Sequence, residues 1–202
     1  MKTEAPTAKL VDRDRTQSIY LKAAEIFHRK GFDGTSMDDI ARALQITKAG
    51  LYYYIKGKED LLFAIMTYAM DWLSKEVIEP ARRVVDPEER LRLIIERHGR
   101  ELMEGPRSLS ILSDEVAALT PKHRRQIVKR KREYFDLIRD SLNEMKAGGR
   151  LADVDTTVTA FSIIGALMWL PRWYKPEGSL SSDRVVEEIT RIVLGGVLKP
   201  GP

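Results

Sequence analysis

The sequence predicts an all-α protein, with a small N-terminal three-helix unit over residues 1–60 and a larger helical domain over residues 61–202. Three observations predict it. Apolar residues recur three and four positions apart through most of the chain, capping residues and prolines stand where those stretches begin, and no run of alternating β-branched residues is bounded by hairpin turns.

Residues 1–12 read as a flexible arm. Residues 15–30 carry Ile19, Leu21, Ala23, Ala24, Ile26 and Phe27 at helical spacing, and Gly31 stands where a helix commonly stops. Thr35 or Ser36 caps a short second helix through Ala43, with Asp38 and Asp39 at the positive end of its dipole. Leu44, Gln45 and Ile46 make a turn, and Thr47 caps a third helix over residues 48–54. After Gly57 a fourth helix opens with Lys58, Glu59 and Asp60 and runs to residue 78, where Pro80 is expected to end it. Further helices are expected over residues 87–104, 107–119, 121–146, 153–170 and 182–198, several with proline in the first turn. No internal repeat or low-complexity tract is present, so solenoid architectures drop out.

Composition narrows the function classes. With 43% hydrophobic and 32% charged residues the chain reads as a soluble globular protein. The absence of cysteine removes disulfide frameworks, thiolate metal sites and cysteine nucleophiles, and cytoplasm is the expected compartment. Residues 1–11 contain no apolar signal region, and the longest apolar run, residues 160–170, falls short of the ~20 needed to span a bilayer, so neither export nor membrane insertion is expected. His28, His98 and His123 have no partners at metal-ligand spacing, and no HExxH, GxSxG, phosphate-loop or dinucleotide fingerprint occurs. An enzyme is therefore not expected, nor a metal or cofactor. A net charge of +4 and an isoelectric point of about 9.2 permit a polyanionic partner without requiring one.

Two short helices joined by a tight turn and backed by a third form a helix-turn-helix, which presents its second helix to the DNA major groove. Here that helix offers Thr47, Lys48, Ala49, Gly50, Tyr52 and Tyr53, with Leu51 facing inward. Small side chains let the backbone approach DNA, and the lysine and tyrosine hydroxyls reach phosphates or base edges. On the residues alone, the tyrosines also read as packing residues and Lys58 as a solvated charge.

The run GFDGTSMDDIARALQITKAGLYYYIKGKEDLL over residues 31–62 resembles the signature of the TetR family of bacterial regulators. It departs from that signature at Tyr54 and Ile55, where members often have His and Phe, and at Gln45-Ile46, where a glycine commonly opens the turn. The resemblance implies an N-terminal DNA-binding domain and a C-terminal ligand-binding and dimerisation domain. It implies phosphate contact by Thr35 or Ser36, base or backbone contact by Thr47, Lys48, Ala49, Gly50, Tyr52 and Tyr53, and phosphate contact by Lys58, whose charge lies beside a helix N-terminus.

Near the C-terminus, Arg172-Trp173-Tyr174-Lys175-Pro176-Glu177-Gly178-Ser179-Leu180 and Ile192-Val193-Leu194-Gly195-Gly196-Val197 resemble the TetR subgroup of acyl-CoA-responsive repressors. That implies a homodimer through the last two helices, with Phe161, Ile164, Gly165, Met168 and Trp169 as one stripe and Val185, Ile189, Ile192, Val193 and Val197 as the other. Both stripes equally suit the protomer's own core. An effector pocket would draw on Met66, Met70 and Leu73, on Leu102, Met103 and Leu112, on Tyr134 and Ile138, and on Met168 and Trp169, each of which also reads as ordinary core. The basic run Lys122, His123, Arg124 and Arg125, with 129–132 beyond it, reads as a solvated face or as cations for coenzyme A phosphates. The expected function is a DNA operator-binding regulator, a repressor released by a small hydrophobic effector such as an acyl-CoA. The alternatives are a helical protein-binding module and an activator without a small-molecule ligand.

Overall fold

The computed structural model describes the backbone of residues 6–105 and 115–198, and side chains from residue 15 onward. Helix α1, Pro6–Lys30, begins earlier than expected: residues 6–12 are helical rather than an arm, and proline opens the helix because its missing N–H is one the first turn leaves unpaired anyway. The helix buries Ile19, Ala23, Ala24, Ile26 and Phe27 and stops at Gly31, whose φ of 74° is left-handed and suits glycine.

Helix α2, Met37–Ala43, starts with Ser36 in a reciprocal capping box with Asp39. Helix α3, Lys48–Tyr54, starts with Thr47, whose Oγ1 accepts from the Gly50 amide at 3.0 Å. Between them Gln45 holds a φ of 56°, so a side-chain-bearing residue takes the left-handed conformation where relatives of the motif commonly place glycine.

Helix α4, Lys58–Leu73, buries Leu61, Leu62, Ile65, Met66, Ala69, Met70 and Leu73. It does not end before Pro80. A π-helical turn, Ser74–Ile78, leads into α5, Glu79–Arg82, with Pro80 in its first turn. The wider turn passes the hydrogen bond of Glu79 N–H to Ser74, five residues back, and the Glu76 carbonyl that proline cannot serve accepts from Arg97 Nη1 at 3.1 Å instead.

Helix α6, Pro87–Glu104, is capped by Asp86, which accepts from the amides of Glu88 and Glu89. Residues 106–114 lie outside the described residues, and with them most of the helix expected at 107–119; its described end is a single 3-10 turn, Val116–Ala118. Helix α7, Pro121–Ala147, is capped by Thr120, α8, Thr156–Trp173, by Asp155, and α9, Ser182–Val197, by Ser181. Among the described residues there is no strand, only an isolated bridge between Leu151 and Leu198.

Helix α6 lies at the centre of the larger domain, against α7, α8 and α9. Gly99 marks the crossing. A Cβ there would come within 3.0 Å of Val186 and 3.5–3.6 Å of Leu167 and Leu170. Helix α4 packs on both α1 and α7, so one helix joins the small unit to the core of the large one. No described helix is long and apolar enough to cross a membrane.

Candidate nucleic-acid interface and effector core

Helix α3 divides as its spacing predicts. Leu51 is fully buried against the small unit's core, while Lys48 and Ala49 are exposed and Tyr52 and Tyr53 are 44% and 82% exposed. Exposed aromatic surface of that size on a short helix contributes nothing to the protomer's own core, so its use lies outside the protomer. Gly50 is half-buried; a Cβ there would lie 3.1 Å from Thr47 Oγ1, against the atom that caps the helix. Tyr54 is half-buried and meets Tyr53 edge-on at 5.1 Å.

Thr35, Ser36, Lys48, Tyr52 and Lys58 line one shallow concavity together with Asp38 and Asp39. Thr35, Ser36, Lys48 and Lys58 are each engaged by groups of the protein itself. Thr35 is 2% exposed, and its hydroxyl donates to the Gly31 carbonyl at 2.8 Å, so it clamps the turn after α1 and is not placed for phosphate contact; of the two expected capping residues Ser36 is the exposed one. The Ser36 hydroxyl donates to Asp39, whose carboxyl is held down at about 2 by hydrogen bonds from the Ser36 side chain and backbone and from Lys30. Lys48 pairs with Asp38 at 2.9 Å, which raises its affinity for a proton and leaves a carboxylate that an incoming phosphate must replace. Lys58 does not project as a free charge: its ammonium donates to the Phe32 carbonyl at 2.9 Å and lies 4.3 Å from the centre of the Phe32 ring.

Two further contacts tie this unit to the larger domain, and neither was foreseen. Glu115 accepts from the Phe32 amide at 3.0 Å. Glu59 accepts from the Thr120 amide at 2.8 Å and from His123 Nδ1 at 2.9 Å, and His123 stacks on Phe63 with ring centres 3.8 Å apart. The fold thus brings His123 to Glu59 and Asp60, with ligating atoms within 4.8 Å of one another, although no spacing in the chain suggested it. Glu59 is engaged by α7 there, and both α4 and α7 point their positive ends at the cluster, an arrangement suited to carboxylate capping rather than to a cation.

Of the expected effector residues, Met66, Met70, Leu73, Leu102, Tyr134 and Ile138 are buried and Met103 is half-buried in one continuous core; Leu112 lies outside the described residues. Met168 is half-buried. Trp169 is 59% exposed and points away from that core, because it shares the outer face of α8 with Phe161 and Gly165, eight and four residues before it. The last-helix stripe splits as well: Val185 and Val197 face the protomer core, and Ile192 faces outward. In the basic run, Arg124 donates to the carbonyls of Ala117 and Leu119, and Arg130 pairs with Asp71. Lys131 and Arg132 border an open groove of about 800 Å³ between α7 and α8, which Phe135 and Phe161 also line.

One buried pair was missed. His98, 4% exposed, and Tyr134, 5% exposed, meet at 2.8 Å between Nδ1 and Oη. Burial holds His98 down at about 4 and pushes the Tyr134 hydroxyl upward. The signal was present: His98 occupies an apolar position of the α6 stripe formed by Leu91, Ile94, Ile95 and Leu102.

Residues 19–65 match the model of the bacterial regulatory proteins of the tetR family, and residues 84–197 that of the tetracyclin repressor-like C-terminal domain. The HTH-type transcriptional repressor KstR2 of Mycolicibacterium smegmatis is 27% identical over 196 residues, 96% of this chain and 95% of its own. The crystal structure of AibR in complex with isovaleryl coenzyme A and operator DNA is 35% identical, covers 88% of this chain and 97% of that one, and superimposes with a TM-score of 0.83. A regulator of the TetR/AcrR family from Thermobifida fusca is 40% identical over 91% of this chain and 98% of its own, with a TM-score of 0.67.

Proposed function

The chain belongs to the TetR family of bacterial regulatory proteins, a family of regulators and not of enzymes, and from that premise we propose that it is a homodimeric operator-binding repressor released by a small acyl-CoA-like effector. The observation that carries the DNA half is the outward face of α3, where Lys48, Ala49, Tyr52 and Tyr53 are exposed on a doubly capped helix-turn-helix while Leu51 fixes the helix from behind. The effector half is supported by the likeness to AibR, which is seen with isovaleryl coenzyme A, and to the repressor KstR2. Such a protein works in the cytoplasm.

The dimer forms through α8 and α9. Phe161 and Trp169 flank Gly165 on α8, and Ile192 lies beside Gly195 and Gly196 on α9, an exposed apolar surface with small residues that admit a partner helix closely. A two-fold dimer places two copies of α3 on one face of DNA, and both engage only if their spacing matches successive major grooves, about 34–36 Å apart. The effector acts through α4, which holds Leu61 and Leu62 in the small unit's end and Met66, Met70 and Leu73 in the effector core. Effector and DNA then weaken each other's binding reciprocally.

The test is fluorescence anisotropy on the duplex upstream of the protein's own gene against a shuffled duplex, across salt concentrations, with and without acyl-CoA thioesters. Specific, salt-sensitive binding that a thioester abolishes is the expected result. Lys48→Ala should weaken binding and lower the salt slope by about 1. Equal binding to both duplexes at every salt concentration would refute operator recognition there, and specific binding indifferent to every thioester would refute the effector class.

A further inference from the structure

The buried polar and charged residues among those described are Thr35, His98, Ser141, Thr159, Ser182 and Thr190, so no lysine or arginine lies in the core. Of that set, His98 is unusual because it meets the buried Tyr134. A neutral imidazole has one N–H and one bare nitrogen, and a phenol has one O–H and an oxygen that accepts. The pair therefore holds two donors, and its one hydrogen bond uses one of them. If Tyr134 donates to Nδ1, the Nε2–H of His98 is left over; if Nδ1–H donates to the phenol, the Oη–H of Tyr134 is left over. Either tautomer leaves a donor without a protein partner on side chains at least 95% buried. Folded cores rarely leave a buried donor unmet, and one that persists points to an absent partner.

The pair's position indicates what that partner is. His98 on α6 is one helical turn from Leu102, and Tyr134 on α7 is one turn from Ile138, so the leftover donor lies amid the apolar residues of the large domain's core. We propose that His98 and Tyr134 form the polar end of an effector site between α6 and α7, which takes the uncharged carbonyl of a thioester, ester, amide or ketone and rejects the corresponding free carboxylate. The inference rests on the effector half of the function proposed above. A carbonyl oxygen accepts one hydrogen bond without carrying a charge inward, whereas a carboxylate here would lose its hydration, and Lys131, the half-buried cation one turn before Tyr134 on α7, is itself disfavoured in its charged form by burial. Any charged part of the effector must then lie outside this core.

The full chain is titrated with acyl-CoA thioesters, beginning with isovaleryl-CoA, and with each matching free acid, following affinity calorimetrically and DNA release by anisotropy. A bound thioester labelled with 13C at its carbonyl should show its infrared stretch moved to lower frequency. Tyr134→Phe should weaken thioester binding by about tenfold and reverse much of that movement. The double variant His98→Leu/Tyr134→Phe removes both polar groups at once, so it should keep or raise the unliganded melting temperature while losing the preference for thioester over acid. Unchanged thioester affinity and infrared position in both variants would overturn the inference and leave the effector reading intact, as would a free acid that binds as tightly as its thioester. Specific DNA binding with no affinity for any carbonyl compound would overturn the inference and the effector reading together. Loss of DNA binding alone would strike the operator reading, and the thioester affinities would still decide the inference.

Discussion

Acid should destabilise this protein in a window set by His98. Its imidazole titrates near 6.5 in an unfolded chain and at about 4 in the folded core, and desolvation is the cause. Because the folded value is the lower one, the unfolded state takes up a proton first. Stability is therefore intact above about pH 6.5, falls as pH drops towards 4, and is lost to its full extent below it. At about 1.4 kcal/mol for each pH unit between the two values, the loss reaches about 2 kcal/mol at pH 5 and about 3 kcal/mol below pH 4. For a chain of this size about 2 kcal/mol corresponds to a fall of about 4–8 °C in melting temperature. The half-buried carboxylates Asp39 and Asp86, each held at about 2 by hydrogen bonds, lend stability that disappears only as pH falls from 3.8 through that value, so they act below the histidine window. Urea and thermal unfolding from about pH 7.5 to about pH 4 should show the loss in the natural protein and not in His98→Leu/Tyr134→Phe. Parallel pH profiles for the two proteins across that window would refute the reasoning.

Leu51→Ala removes the buried side chain that holds α3 in place; it should destabilise the protein by about 2–5 kcal/mol in denaturant titrations and weaken DNA binding with it. Gln45→Gly relieves a left-handed backbone at φ 56°, and after the entropy lost on fixing glycine it should stabilise the fold by about 0.5–1 kcal/mol, read as a higher urea midpoint at unchanged slope; a lower midpoint would contradict the strain. Phe161→Glu combined with Trp169→Glu places charges on the exposed face of α8, and sedimentation should then show the 23.1 kDa monomer with unchanged helicity. A dimer that survives both charges would place the interface elsewhere.

What was legible in the sequence is what neighbouring residues decide among themselves. Ser36 and Thr47 cap helices because each side chain needs only an amide three residues away, and Gly31 ends α1 because its own φ is left-handed. Gln45 was visible as a departure from the family signature, although its strain became visible only in the backbone. The same local reasoning failed at Pro80, where Arg97 from another helix supplies the hydrogen bond that proline withholds, and it did not show that Lys58 and Thr35 donate to the Phe32 and Gly31 carbonyls. His98 and Tyr134 are 36 residues apart, and Glu59 and His123 are 64 apart. Periodicity, caps and composition by themselves determined an all-helical chain with a helix-turn-helix. Only the tertiary structure decided which polar groups were paired, which apolar stripe faced outward and which donor was left over, because hydrogen-bond satisfaction and burial depend on what distant helices bring to the same point.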